Sequence, residues 1–491
     1  MIFWIAFLIC VSGIAGLFFL DRDKSTRNSK ALWLPVIWLW IAGSRPVSSW
    51  LGGGGSPGGA LASTVDGSPM DAAIFAALLA AGLVVVFLRR DRTGALLRTS
   101  VPVLIYFLYC LISVTWSPFP EPAFKRWTKD VGDLVMVAIL VTDGQPIAAL
   151  RRFYSRVGFI LFPLSILLIR YTDLGRAYDP DGGPMNTGVT TNKNSLGMIV
   201  FLVTIGALWN VRALFMNKEV PNRTRRLIAQ GTLLTFGIVL LQMAHSATSI
   251  ACFILGGGLI LATGLRSMRI RPARVHALCL GIVVAGALMM LSGGESVVAG
   301  ALGRKSNLSG RTDIWAASIA AADNPIIGTG FESFWNTNVE KVAAGLPGYW
   351  EIHNLVSAHN GYIQIYLDLG WIGVSLIATI LISGYRRSIK AFRRDPELAS
   401  LFLAYIATSA IYNITEAGFR ILTPVWIFLL LAVVSASGVD AGLFGGQPSE
   451  TTPPRGATPS KAPSRKKLTP RGETVLTPQR SLALGSPRIG S

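Results

Sequence analysis

Between Gly310 and Gly373 the chain reads GRTDIW, then NPIIGTGF, then AHNGYIQIYLDLGWIG, a polar, Gly-rich stretch that carries His353, His359 and several cations. His359 stands where this stretch gives way to an apolar run. Its ring is expected near the headgroup level of a membrane, where an imidazole is suited to take a proton from a hydroxyl at neutral pH. The plainer alternative is an interface His that bonds loop carbonyls; His353, followed by Asn354, shares that alternative and has a weaker position. Arg304, Lys305, Arg311 and Lys341 lie on the same long loop, and Lys125, Arg126, Lys129, Arg170, Arg176, Lys193 and Arg420 lie in other segments expected on the same face. Arg forks and Lys point charges match phosphate oxygens, so as a set these cations point to a phosphate or pyrophosphate ligand. Taken singly, each could instead pair with Asp313, Glu332, Glu340, Glu351 or Asp368.

Smaller signals surround these residues. Gly328 and Gly330 suggest a tight turn whose backbone N–H groups could seat an anion. In GVTTNKNSLG, Asn192, Lys193 and Asn194 place three donors just outside an apolar run, for a polar headgroup or as a helix cap. Asp313–Ala322 reads as a short amphipathic helix whose Ile314, Trp315, Ser318 and Ile319 could lie on a bilayer surface. His245, with Ser246, Thr248 and Ser249, reads as hydrogen-bonded between helices, and Glu416 with Arg420, one helical turn on, as a salt bridge.

The elements that position these residues are membrane helices. A composition 51% hydrophobic and 14% charged, with mean hydropathy +0.50, does not describe a water-soluble domain. Runs long enough to cross about 30 Å of hydrocarbon fall near residues 2–20, 32–50, 72–88, 101–116, 131–141, 157–169, 195–215, 227–244, 249–265, 277–291, 361–383, 398–413 and 422–437. This makes an all-α polytopic protein of about 12–13 spans with one long extracytoplasmic loop. The second run is the weakest, since Arg45 sits inside it.

Short loops rich in Lys and Arg stay in the cytoplasm, which tests the order of the spans. The loops at 21–30, 89–100, 142–156, 212–226, 266–276 and 386–397 hold 25 of the 45 Lys and Arg, the tail after Ser437 holds eight, and the segments of opposite parity hold 12. The N terminus is therefore expected outside, the C terminus in the cytoplasm and the long loop extracytoplasmic. Without the second span, Arg89, Arg90 and Arg92 would fall on the wrong face. The chain divides into N-terminal transmembrane helices (1–292), an extracytoplasmic catalytic loop (293–360), C-terminal transmembrane helices (361–437) and a basic tail (438–491) expected to be disordered.

The net charge of +19 is dispersed through interhelical turns, so it does not argue for nucleic acid. Cys10, Cys110, Cys252 and Cys279 lie in apolar runs without metal or disulfide spacing. The first span lacks a basic leader and a small-residue cleavage site, so retention is expected. Gly52–Met70, headed by GGGGSPGG, reads as a flexible outer loop.

The order GR…IW, NPIIGTGF, then HNGYI…LGWIG resembles the signature of the O-antigen ligase and polysaccharide polymerase superfamily of bacterial inner-membrane proteins. GVTTNKNSLG and the tail make the chain most similar to its succinoglycan-type exopolysaccharide polymerases. The resemblance implies a GT-C-like fold and glycosyl transfer at the outer face without metal or other cofactor. The implied donor is an undecaprenyl-pyrophosphate-linked oligosaccharide, and the implied partners in the bilayer are a flippase and a chain-length regulator. By the same resemblance His359 is the base and Arg311 a pyrophosphate ligand; residue type and placement add Lys193, Asn192, Asn194, Asn360, Arg304, Arg126 and Arg420 as further substrate-binding candidates. The superfamily commonly has an Arg where HSATS has Ala247; Lys193, Arg126 or Arg304 would then supply the missing charge.

Other readings remain open. An O-antigen-type ligase shares donor and motifs and differs only in its acceptor. A lipid-linked oligosaccharide flippase or exporter would also be a cationic many-helix protein, but would be expected to carry mid-membrane charges. A noncatalytic chain-length regulator would need a large extramembrane domain.

Overall fold

Each of these apolar runs is helical over most of its length in the computed structural model of the chain, which describes residues 1–23, 26, 29–52, 68–178, 183–270, 272–291, 309–346 and 355–444. The helices are α1 (Ile2–Leu20), α2 (Trp33–Ala42), α3 (Val47–Trp50), α4 (Pro69–Leu88), α5 (Arg90–Thr99), α6 (Val101–Ser113), α7 (Pro120–Val141), α8 (Pro146–Tyr171) and α9 (Lys193–Met216). They continue as α10 (Arg223–Ala244), α11 (Ala247–Thr263), α12 (Arg266–Ile270), α13 (Pro272–Leu291), α14 (Ser309–Ala320), α15 (Phe334–Ala344), α16 (Gly361–Phe392), α17 (Pro396–Thr415) and α18 (Pro424–Asp440). One two-stranded antiparallel hairpin, β1 (Arg176–Tyr178) and β2 (Pro184–Asn186), follows α8. The protein is thus all-α and polytopic. Residues 292–308 and 347–354, the Gly-rich loop at 53–67 and the tail from 445 lie outside the described residues, and with them Arg304, Lys305 and His353.

By length and apolarity alone, seven of the described helices can cross a membrane, and an eighth if α5 and α6, bent by 88°, count together. The remaining expected spans fall short for separate reasons. α11 and α18 have 17 residues each, and α18 is buried at every position from Pro424 to Gly438, so it has no lipid to match. α2 ends at Ala42 because Arg45 turns away to donate to the carbonyls of Gly188 (2.8 Å) and Leu174 and to Thr187 Oγ1 (3.2 Å), which anchors the hairpin. α7 begins at Pro120, well before its apolar run, and buries Arg126, Asp130 and Asp133 along its length. Trp38 Nε1 donates to Asp133 (2.7 Å) and Trp426 Nε1 to Asp130 (2.7 Å), so these carboxylates are hydrogen-bonded inside the bundle.

α18 and α17 run through the centre, packed against α16, α11, α9 and α7. α1, α4 and α6 instead expose rows of large apolar residues, among them Ile5, Leu8, Val84, Phe87, Ile105 and Leu108. Such contiguous apolar surface is a lipid face.

The loops gather at two ends. At one, Arg226 pairs with Asp23 (3.2 Å), Arg89 with Asp143 (3.4 Å), Arg151 with Glu397 (2.8 Å) and Lys390 with Asp440 (2.8 Å), so the basic loops of one parity meet each other. The segments of opposite parity meet at the other end, where Arg45, Asn194, Arg311, Glu332, His359, Glu416 and Arg420 lie.

Candidate functional site

The long loop is held by α16. That helix breaks at Gly370 (φ 64°, ψ −166°), and NPIIGTGF lies against the break: Trp371 N donates to Pro325 O (2.9 Å), Thr329 N to Leu367 O (3.0 Å) and Gly330 N to Asp368 O (2.8 Å). Gly328 N is bonded to Asn324 O (3.0 Å) and Phe331 N to Ser113 Oγ (3.1 Å), while residues 328–333 are all buried. The expectation of an anion seat at Gly328 and Gly330 is therefore corrected, because these N–H groups are spent on protein carbonyls and a hydroxyl. Asp368 Oδ1 accepts from Ser333 N and Phe334 N (3.0 Å each), capping α15 from the side.

α14 is corrected as well. Ile314, Ala317 and Ser318 are buried, and the apolar pair joins Phe334, Trp335, Val342 and Leu367 in a second small core, while Ile319 stays exposed. The face expected on the bilayer is mostly covered by α15 and α16. Trp315 Nε1 donates to Ala358 O (2.8 Å) and so ties α14 to the residue before His359.

His359 is held in a left-handed conformation (φ 48°), uncommon for a side-chain-bearing residue and a marker of a constrained site. Asn360 explains how. Its Oδ1 caps α16 by accepting from Tyr362 N (3.0 Å) and Ile363 N (3.1 Å), and its Nδ2 donates to Ile414 O at the end of α17 (2.8 Å). Gly361 lets the two helices meet, since a Cβ there would lie 1.8 Å from Asn413 Oδ1. The HNG triplet therefore clamps the start of α16 to the end of α17 and leaves the imidazole 41% exposed.

Glu416, immediately after α17, is the centre of the site. Its Oε1 accepts from Arg311 Nη2 (2.9 Å) and Asn194 Nδ2 (2.9 Å), and its Oε2 lies 3.5 Å from His359 Nδ1. Arg311 Nη1 also donates to Thr415 O (2.8 Å). Burial alone would raise the Glu416 carboxyl, but the Arg311 charge, with His359 beside it, outweighs burial and holds it below the ordinary glutamate value. With Nδ1 turned to a carboxylate, Nε2 is the ring nitrogen left to act as a base.

A second centre forms on Glu332. Arg420 reaches it through Nε (3.0 and 3.2 Å) and Nη2 (2.6 Å), and donates from Nη1 to Val356 O (3.2 Å). Arg126 Nη1 donates to the Glu332 carbonyl. Burial would lower the Arg420 guanidinium; the Glu332 carboxylate raises it instead. Glu416 and Arg420 thus do not pair with each other as expected, but take Arg311 and Glu332 across the fold.

Of the expected site residues, His359, Arg311 and Asn194 come together. Asn360 is consumed as cap and clamp, and Asn192 caps α9 by accepting from Ser195 N (2.8 Å). Arg126 and Arg420 serve the Glu332 centre. Lys193 borders an open pocket of about 260 Å³ with Met185, Asn186, Met243 and His245, and His245 is exposed there rather than buried between helices. The sequence marks Glu416 only as a carboxylate in a short, cation-bearing turn and Glu332 only as one of several acids open to a cation, and neither signal identifies a centre. Among the described residues no cluster of three or more His, Cys, Asp or Glu is arranged to hold a metal.

Residues 231–378 match the family described as O-antigen ligase, a span that contains Arg311, Glu332 and His359 and ends within α16. The chain is also 27% identical over 314 residues, 60% of its own length and 68% of the other's, to the exopolysaccharide production protein ExoQ of Rhizobium meliloti (strain 1021). Both findings bear out the resemblance to the O-antigen ligase and polysaccharide polymerase superfamily, near its succinoglycan type.

Proposed function

We propose, from the O-antigen ligase-like character of this chain, that it is a glycosyltransferase that polymerises undecaprenyl-pyrophosphate-linked oligosaccharide repeat units into exopolysaccharide at the outer face of the inner membrane. The observation that carries this reading is the convergence of His359 and Arg311 on one carboxylate at the end of the bundle opposite the basic loops. His359 Nε2 takes the proton of an acceptor hydroxyl while its oxygen attacks the anomeric carbon of the donor sugar. The bond from that carbon to the pyrophosphate oxygen breaks, and its electron pair leaves on undecaprenyl pyrophosphate, whose charge Arg311 neutralises. Attack from the face opposite the leaving group inverts the anomeric centre. The segment 293–360 together with the turn after α17 is then the catalytic layer, and a flippase supplies its donor.

The test is purified protein in detergent with lipid-linked repeat units, with glycan length read by mass. Wild type is expected to lengthen the glycan, and His359→Ala to lose activity by about 10²–10⁴, the usual contribution of a positioned base, while remaining folded in the membrane. Unchanged glycan with active wild-type protein points to translocation alone, and normal elongation by His359→Ala removes the base.

A further inference from the structure

Glu416 holds more than a structural salt bridge needs. Its two oxygens are used unequally: Oε1 takes two full hydrogen bonds, from Arg311 and Asn194 (2.9 Å each), whereas Oε2 stands 3.5 Å from His359 Nδ1, beyond ordinary hydrogen-bond length. Arg311 has a separate anchor on Thr415 O (2.8 Å), which it can keep while Nη2 changes partner. The carboxylate therefore sits between two groups that the proposed reaction uses in sequence, an Arg for the leaving group and an imidazole for the nucleophile.

Resting on that reading, we infer that Glu416 is the counter-ion exchanged on donor binding. In the unloaded protein it occupies the place on Arg311 that the donor pyrophosphate takes, and when displaced it closes on His359. The charges favour this exchange, since a pyrophosphate offers more negative charge and more acceptor oxygens to a guanidinium than one carboxylate does. A carboxylate that has lost its Arg at a site where its side chain is only 11% exposed needs another cation, and an imidazolium is the one at hand. Proton uptake by His359 is thereby favoured only when a donor is in place, and the acceptor is activated only when there is something for it to attack. Glu416 is a positioning residue: it touches neither sugar, and it acts through Arg311 and His359.

The readout is a split between binding and turnover. Glu416→Gln keeps an acceptor oxygen for Arg311 and Asn194 but removes the charge that competes with the ligand. Binding of undecaprenyl pyrophosphate in detergent micelles is expected to tighten by about tenfold, a modest coupling between sites. Elongation at saturating donor is expected to fall about 10²-fold, since the base loses its partner. Glu416→Asp, which withdraws the charge by one methylene, should move both quantities the same way to a smaller extent and serves if Glu416→Gln does not fold. A purely structural clamp predicts the opposite for binding: looser or unchanged affinity in both variants. That result, or full turnover by either variant, overturns the exchange. Wild-type protein that neither binds undecaprenyl pyrophosphate nor elongates would instead overturn the glycosyltransferase reading itself.

Discussion

Arg420 shows how one side chain can shape the site through its protein partners. Its fork closes on Glu332, whose side chain is 4% exposed, and its remaining nitrogen holds Val356 O, three residues before His359. Removing the Arg leaves a buried carboxylate without its cation, which costs about 3–5 kcal/mol. Arg420→Ala is therefore expected to lower the unfolding midpoint in detergent sharply, and Arg420→Lys to lower it less, because it retains the charge but not the planar fork. An Arg420→Ala midpoint equal to wild type would contradict the clasp. At this scale the sequence was legible where a residue type was scarce and its setting unusual: a His at the start of a span, and an Arg opening a loop. The specific pairings were not legible, because Arg311 meets Glu416 and Arg420 meets Glu332 from elements about 100 residues apart, whereas spacing along one turn pairs Glu416 with Arg420. GTGF misled for a related reason: Gly-rich turns leave N–H groups unassigned in sequence, and here the loop itself, α6 and α16 supply their acceptors.

Among the elements, α16 carries the most information, since its break at Gly370 receives the loop and its cap at Asn360 presents the His. The apolar run of α16 was plain in the sequence; its interruption was not, because LDLGWIG reads as uninterrupted span. Gly370 has a backbone conformation that essentially only glycine adopts, and a Cβ there would stand 2.1 Å from Ile326 O. Gly370→Ala should therefore cost about 1–3 kcal/mol from the backbone alone, with further loss as NPIIGTGF is pushed away. Gly94→Ala in α5, where a Cβ meets nothing within 4 Å, is the control and should hold or slightly raise stability. Thermal unfolding of both variants, with elongation measured on each, checks the claim; equal midpoints for the two would show that the break is not a fixed feature. α7 and α14 were harder to delimit, because charges buried by tertiary partners, and apolar residues covered by neighbouring helices, carry no local mark of either fate.

Across the whole molecule, charge and connectivity agree. The loops that hold most of the Lys and Arg converge at one end, where they pair with Asp23, Asp143, Glu397 and Asp440, and the site lies at the other. Because basic short loops are retained in the cytoplasm, the site is predicted to face outward, where the proposed reaction requires it. Two exposed lysines report on the two ends: Lys341 on α15 and Lys218 between α9 and α10. The native thiols interfere little, since Cys110, Cys252 and Cys279 are buried and Cys10 is half-buried. A membrane-impermeant maleimide added to intact spheroplasts is expected to label Lys341→Cys directly and Lys218→Cys only after permeabilisation. The reverse pattern would put His359, Arg311 and Glu416 in the cytoplasm, and the transfer proposed at the outer face would have no catalytic group to perform it.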